Sequence, residues 1–332
     1  MDFHAEFFPK SFPVKINHRQ KLLLVGSCFT EQIGNKLNQH KFTVMENPNG
    51  ILFNPVSISN AIKSYAAGKV YSTDELFHHT ELWGSWQHHT KFSNIEKGKA
   101  LEAINTSQQK ANTFIKDADW ILLTLGSAFV YENTAVEDNS NYKNVVANCH
   151  KVPADKFNRR LLNTDEIKNV LSSMMQEVKK INPAVNFIFT ISPVRHLREG
   201  FIENNRSKAA LIQAVHSLVN EIDSFYFPAY ELVIDDLRDY RFYAEDMVHP
   251  NYAATNYVWE KFITTCIDED SQQLMKEIAV IVAARNHKAF NPSSEQHKKF
   301  LRVNLEKLKT IGQKHPYINF SEEATFFTQT GS

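Results

Sequence analysis

A serine, a few glycines and an Asp/His pair are the residues of this chain whose types and spacing could do chemistry. Gly26-Ser27-Cys28-Phe29 closes an apolar run over residues 21–28, and Asp246-Met247-Val248-His249-Pro250 lies far downstream. Together they suffice for acyl transfer. Ser27 would attack a carbonyl and His249 would take its proton. Asp246 would hold the imidazole tautomer and stabilise the imidazolium. Three-residue spacing lets Asp246 and His249 come from one loop. Pro250 disfavours a helical conformation at His249 and keeps it outside the helix that follows. A serine at a strand-to-helix junction sits at a positive helix end, where an oxyanion can be bound.

Each piece also has an ordinary structural reading. A serine after a strand is a common N-cap. An Asp-x-x-His-Pro can be a loop–helix boundary, and Gly50 can make a turn after Pro48. Cys28 could be the nucleophile instead, although free cysteines more often act as small buried hydrophobes. The pairs His78-His79 and His88-His89 are poor bidentate sets, because adjacent strand residues point to opposite faces. No metal site is expected from them. Trp83 and Trp86 read as core packing.

The elements that must position these groups follow from hydrophobic pattern. Apolar runs at 21–28, 42–45, 119–125, 186–191 and 231–234 predict five strands. Helices are predicted at 29–40, 55–67, 98–117, from Thr164, at 204–222 and at 250–266. Such alternation implies an α/β fold, a doubly wound parallel sheet with helices on both faces. Ligands in such sheets bind beyond the carboxyl ends of the strands. Gly50 and Asn54 follow the second strand, Gly126 the third and Arg195 the fourth, while Asp246 and His249 follow the fifth. The α/β domain is expected to span 1–268, with insertions at 68–98 and 129–160. Residues 269–332 read as a helical C-terminal extension with amphipathic helices at 272–286 and 294–311 and a frayed tail. Their stripes (Leu274, Ile278, Ile281, Val282; Phe300, Val303, Leu305, Leu308) must be buried. They are expected to pack on the α/β domain or across a dimer.

Lys+Arg and Asp+Glu both number 37 in 332 residues, so no charge excess points to nucleic acid or an anionic membrane surface. Apolar residues at 42% and charged residues at 22% exclude a disordered chain. Three scattered cysteines give no disulfide framework. The N-terminal residues resemble neither a signal peptide nor a lipidation motif. No apolar run approaches the ~18 residues of a membrane span. A cytoplasmic protein without a cofactor is expected.

Gly26-Ser27-Cys28-Phe29 resembles the signature of the GSCFA family, a branch related to the SGNH or GDSL-like hydrolases. NPNGILFNP (47–55), TLGSAFVYE (124–132), ANCHKVP (147–153), SPVRH (192–196) and DMVHPN (246–251) are similar to further family segments and occur in the family's order. The resemblance implies a flavodoxin-like three-layer sandwich with strand order 2-1-3-4-5. It places the nucleophile at Ser27 and the Asp-x-x-His pair at Asp246 and His249. It also implies an oxyanion hole made by the nucleophile's N–H, a glycine N–H after strand two, matched by Gly50, and an Asn after strand three. That Asn is missing, because the third block reads Gly126-Ser127-Ala128-Phe129. Losing one such donor costs about 100–1,000-fold in rate. Asn54, Asn148 and His150 are the substitute candidates. His150 is preferred through a ring N–H, although it could equally fix the 129–152 excursion through a backbone carbonyl. The implied function is a serine esterase or O-acyltransferase acting on a small-molecule or glycan acyl ester. The aromatic-rich loop at 71–92, with His89, and Arg195 would shape its pocket. Two alternatives stand beside it. One is a non-catalytic binding protein on a hydrolase fold. The other is a metal-dependent hydrolase using His79, His89, His150 and His249.

Overall fold

A computed structural model describes residues 4–136, 144–219 and 224–328. The chain runs β1 (Lys21–Gly26), α1 (Cys28–Gln39), β2 (Thr43–Glu46), α2 (Pro55–Ala66), the hairpin β3 (Phe77–His79) and β4 (Leu82–Gly84), and α3 (Lys97–Lys116). Next come β5 (Trp120–Leu125), β6 (Phe129–Asn133), β7 (Phe157–Leu161), α4 (Thr164–Ile181), β8 (Asn186–Ile191), α5 (Gly200–Leu218), β9 (Ser224–Tyr226) and the short α6 (Ala229–Glu231). The chain closes with α7 (Tyr252–Cys266), α8 (Glu269–Arg285), α9 (Glu295–Lys314) and α10 (Ser321–Thr328).

The main sheet has order β2-β1-β5-β8-β9, and all four pairings are parallel. This is the doubly wound 2-1-3-4-5 arrangement. β5 is buried along its whole length, and β1 and β8 at every residue but their first, as a sheet covered on both faces requires. One face packs Leu23, Val25, Leu123 and Phe189 against α2, α4 and α5. The other packs Leu22, Leu24, Leu122 and Ile188 against α1, α7 and the 227–233 segment. Each such aliphatic side chain contributes about 1.5–3 kcal/mol on burial.

Two expectations are corrected. The fifth strand is Ser224–Tyr226, and the 231–234 run lies instead in a helical segment with a π-turn at Leu232–Leu237. A four-residue apolar run carries no periodicity to separate strand from helix. The tail is not frayed throughout, since α10 forms there. Its Phe327 joins Leu274, Ile278, Ile281, Leu308 and Ile311 in a separate small core of α8–α10. The two amphipathic stripes therefore bury chiefly against each other and α10, and Val303 remains exposed. Among the described residues no helix is long and apolar enough to cross a membrane.

Candidate active site

The carboxyl edge of the sheet gathers the first, third and fourth post-strand segments. β1 ends at Gly26, whose positive φ of 154° leaves no room for a side chain, because a Cβ there would run into the Thr124 carbonyl. Ser27 follows at the N-cap of α1, yet its side chain makes no cap bond. Its hydroxyl is buried without any hydrogen-bond partner. Capping, the ordinary reading of this serine, is thus not what it does. Cys28 is partly buried, and burial pushes its thiol above the usual range. That argues against thiolate chemistry.

The Asp246–His249 loop is tightly organised. Asp246 Oδ1 accepts the Val248 and His249 backbone N–H groups at 2.9 and 3.0 Å, and Oδ2 meets His249 Nδ1 at 2.6 Å. The two backbone bonds, then the imidazole, hold the Asp246 carboxyl down at about 2. Met247 takes a left-handed φ of 57° to close the turn. With Nδ1 bonded to the carboxylate, Nε2 is the nitrogen free to exchange a proton. Arg195 buttresses the loop. Its backbone N–H donates to the Val248 carbonyl at 3.2 Å and Nη1 to the Met247 carbonyl at 3.3 Å. Its guanidinium lies 4.0 Å from the Tyr243 ring centroid. Ser27 Oγ and His249 make no hydrogen bond to each other in this structure.

Most of the predicted oxyanion donors are engaged elsewhere, Asn148 through its oxygen alone. The Ser27 N–H goes to the Thr124 carbonyl at 3.1 Å, that of Gly50 to the Asn47 carbonyl at 2.7 Å and that of Gly126 to the Phe53 carbonyl at 2.8 Å. Gly50 serves as a turn, at φ 80° and packed on His89. Asn54 is the N-cap of α2, bonded through both ends of its amide to Ser57. His150 Nε2 pairs with the Ser85 carbonyl at 2.9 Å, and Asn148 accepts the His150 backbone N–H at 2.7 Å. His150 therefore fixes its excursion to the 85 loop, beside Phe77 and Trp86, and lines a separate cavity of about 320 Å³ with Phe77, His79 and Gly84. His89 caps a short turn by accepting the Lys91 N–H. Among the described residues no three His, Cys, Asp or Glu side chains gather into a metal-holding group.

Three residues, Asn47, Ser207 and Lys208, are not singled out by the sequence, and a fourth, His196, stands in the segment after the fourth strand without an assigned role. Asn47 accepts the Gly26 N–H at 2.9 Å through Oδ1, while its Nδ2 is buried and unpartnered. His196 packs edge-on to Phe53 over Gly126, its Nε2 buried and unpartnered. Burial, then Lys208 and His249, hold its imidazole down at about 4. Ser207 accepts the Ala128 N–H at 2.7 Å, and Lys208 donates to the Gly126 and Ser192 carbonyls, each at 2.7 Å. A signal existed for the last two. Asn204, Ser207 and Lys208 share a helix face with Leu211 and Val215, so this polar triplet extends an apolar stripe.

Residues 21–262 match the model of the GSCFA family, and residues 278–330 match that of the GSCFA domain protein, C-terminal domain. No curated protein matches the chain. Solved structures similar to it include a carbohydrate esterase family 3 from Talaromyces cellulolyticus, at 12% identity and TM-score 0.37, covering 78% of this chain and 99% of that one. Another is an acetyl xylan esterase from the rumen bacterium Butyrivibrio proteoclasticus, at 10% identity and TM-score 0.36, covering 76% and 64%. With the family match spanning most of its length, and its segments in the order seen above, the chain belongs to the GSCFA family.

Proposed function

We propose that this protein is a serine hydrolase of SGNH type, an esterase or O-acyltransferase acting on an acyl ester, a carbohydrate ester among the substrates to be tried. The observation that carries the reading is the Asp246–His249 pair, held by three hydrogen bonds at the sheet edge where Ser27 stands uncapped. Ser27 Oγ attacks the ester carbonyl as its proton passes to His249 Nε2. The tetrahedral intermediate collapses, the C–O bond breaks and the leaving alkoxide takes that proton from His249. Water, or an acceptor hydroxyl, then gives its proton to His249 and attacks the acyl-Ser27 carbonyl; as the acyl–Oγ bond breaks, His249 returns that proton to Ser27 Oγ. The N-terminus of α1 and the Asn47 amide N–H supply positive potential to the oxyanion. Ser27 Oγ and His249 Nε2 must meet for this reaction, and catalytic hydrogen bonds often tighten only when substrate arrives.

Incubation with a fluorophosphonate tests this directly. Ser27 is expected to be phosphonylated, and Ser27→Ala and His249→Ala are expected to abolish or strongly slow labelling. The second reading, a binding protein on a hydrolase fold, is favoured by the occupied N–H groups of Ser27 and Gly50 and by Ala128. Folded wild type that stays unlabelled would decide for it.

A further inference from the structure

We propose that Lys208 is a positioning residue of this site, a buried cation that ties the ends of β5 and β8 together and supplies the positive charge that the missing Asn leaves wanting. The proposal rests on the reading of Ser27 as nucleophile. Lys208 is 2% exposed, in the middle of α5. Its Nζ donates to the carbonyls of Gly126 and Ser192, the first residues after two neighbouring strands. Among the described residues no carboxylate pairs with it. A buried ammonium without a counter-ion is costly, and structural needs alone are met more cheaply by a neutral donor. The same helix face holds the rest of the third block. Ser207 takes the Ala128 N–H, and Asn204 takes the His196 N–H at 2.9 Å. The segment that carries an Asn in related hydrolases is here clamped from below by α5, with its charge one residue from the clamp.

The groups facing Lys208 are few. Cys28 at the start of α1 favours its charge, and His196 after β8 lies close enough to feel it. The Tyr230 ring centroid is 5.9 Å away, from α6. Burial keeps the Cys28 thiol and the Tyr230 phenol protonated and His196 neutral near pH 7. Burial also lowers the Lys208 ammonium itself to about 7. Charge at this position therefore responds to pH where its neighbours do not.

The rate of Ser27 phosphonylation is to be followed from pH 5.5 to 9 in wild type, Lys208→Met and Lys208→Arg, with Tm recorded for each. Wild type should lose rate on the alkaline side as Lys208 loses its proton. Lys208→Met should be slower by about 10–100-fold at pH 6 and lose the falling limb, because positive charge held behind the sheet edge favours the developing oxyanion. Lys208→Arg should keep more rate than Met at pH 8. A folded Lys208→Met that labels like wild type at every pH overturns the proposal while leaving the nucleophile intact. If Lys208→Met does not fold, the wild-type profile decides, and the absence of a falling limb overturns it. A wild type that never labels removes the hydrolase reading and this inference with it.

Discussion

Asp246 spends both oxygens inside its own loop, so its effect on His249 is orientational as well as electrostatic. Asp246→Asn should lower kcat by about 10³–10⁴-fold once an ester substrate is in hand, since an amide favours the wrong imidazole tautomer. The carboxyl stays ionised down to about pH 2, so acid loss of activity at milder pH does not arise from it. A fall of less than tenfold would mean that His249 is oriented by something else. Asn47 offers a sharper test of the oxyanion. Asn47→Asp retains the acceptor for the Gly26 N–H and tolerates the left-handed backbone at φ 42°, but loses the buried N–H. It should reduce kcat by about 100-fold or more with little change in KM. Unchanged kcat would remove Asn47 from the hole. At this scale the sequence showed the bonded pair, because Asp-x-x-His is local in the chain. Asn47 and His196 were hidden, because what marks them is an unpartnered buried atom created by folding.

Elements were legible where periodicity was long and ambiguous where it was short. The six-residue runs of β1, β5 and β8 could only be central strands. β9 has three residues, too few for a pattern, and the neighbouring aliphatic run drew the assignment away. The C-terminal helices were visible from their stripes, but the stripes did not say what covers them. The structure gives them their own core and fastens it to the α/β unit through Met275, which joins the sheet's core, and through buried charge. Glu323 on α10 is fully buried and pairs with Lys41, after α1, at 2.8 Å, and with Arg285 on α8 at 3.0 Å. Glu323→Gln would leave Lys41 and Arg285, among the described residues, only the exposed Glu322 as an anionic partner. It should destabilise by about 3 kcal/mol, the low end for a broken buried pair because Arg285 is partly exposed. Urea unfolding at neutral pH would read this, and a loss under 0.5 kcal/mol, the ordinary range for a surface change, would show that the helices are held by apolar contact alone.

Across the whole molecule, six histidines are kept neutral by burial more than by any partner: His18, His40, His88, His89, His150 and His196. Zero net charge and a count of 14 histidines gave no hint of this, because burial is a property of the fold and not of composition. The consequence is a pH dependence of stability. For each, the folded-state value lies below the ordinary 6.5, near 4 for His18 and His196 and near 3 for His88. Between those values and 6.5 the unfolded chain binds more protons than the folded one, so stability rises with pH there and falls as pH drops. Glu46 and Glu231, raised by burial, oppose this, since each favours the folded state as it takes up a proton. Among the described residues two such carboxyls act against six imidazoles, so the imidazoles set the net direction. The urea midpoint should therefore decline steadily from pH 7 to pH 4.5, well before most carboxylates protonate. His88 is the deepest of the six, at 1% exposure, with Nδ1 on the Ser85 hydroxyl at 2.9 Å. His88→Gln keeps a polar group for Ser85 and removes the titration, so it should flatten the decline while costing stability at pH 7. A wild-type midpoint that is constant from pH 7 to 4.5 would mean that these rings are reached by water in solution, and that the two insertions, one holding His88 and His89 and the other His150, open more readily than their packing implies.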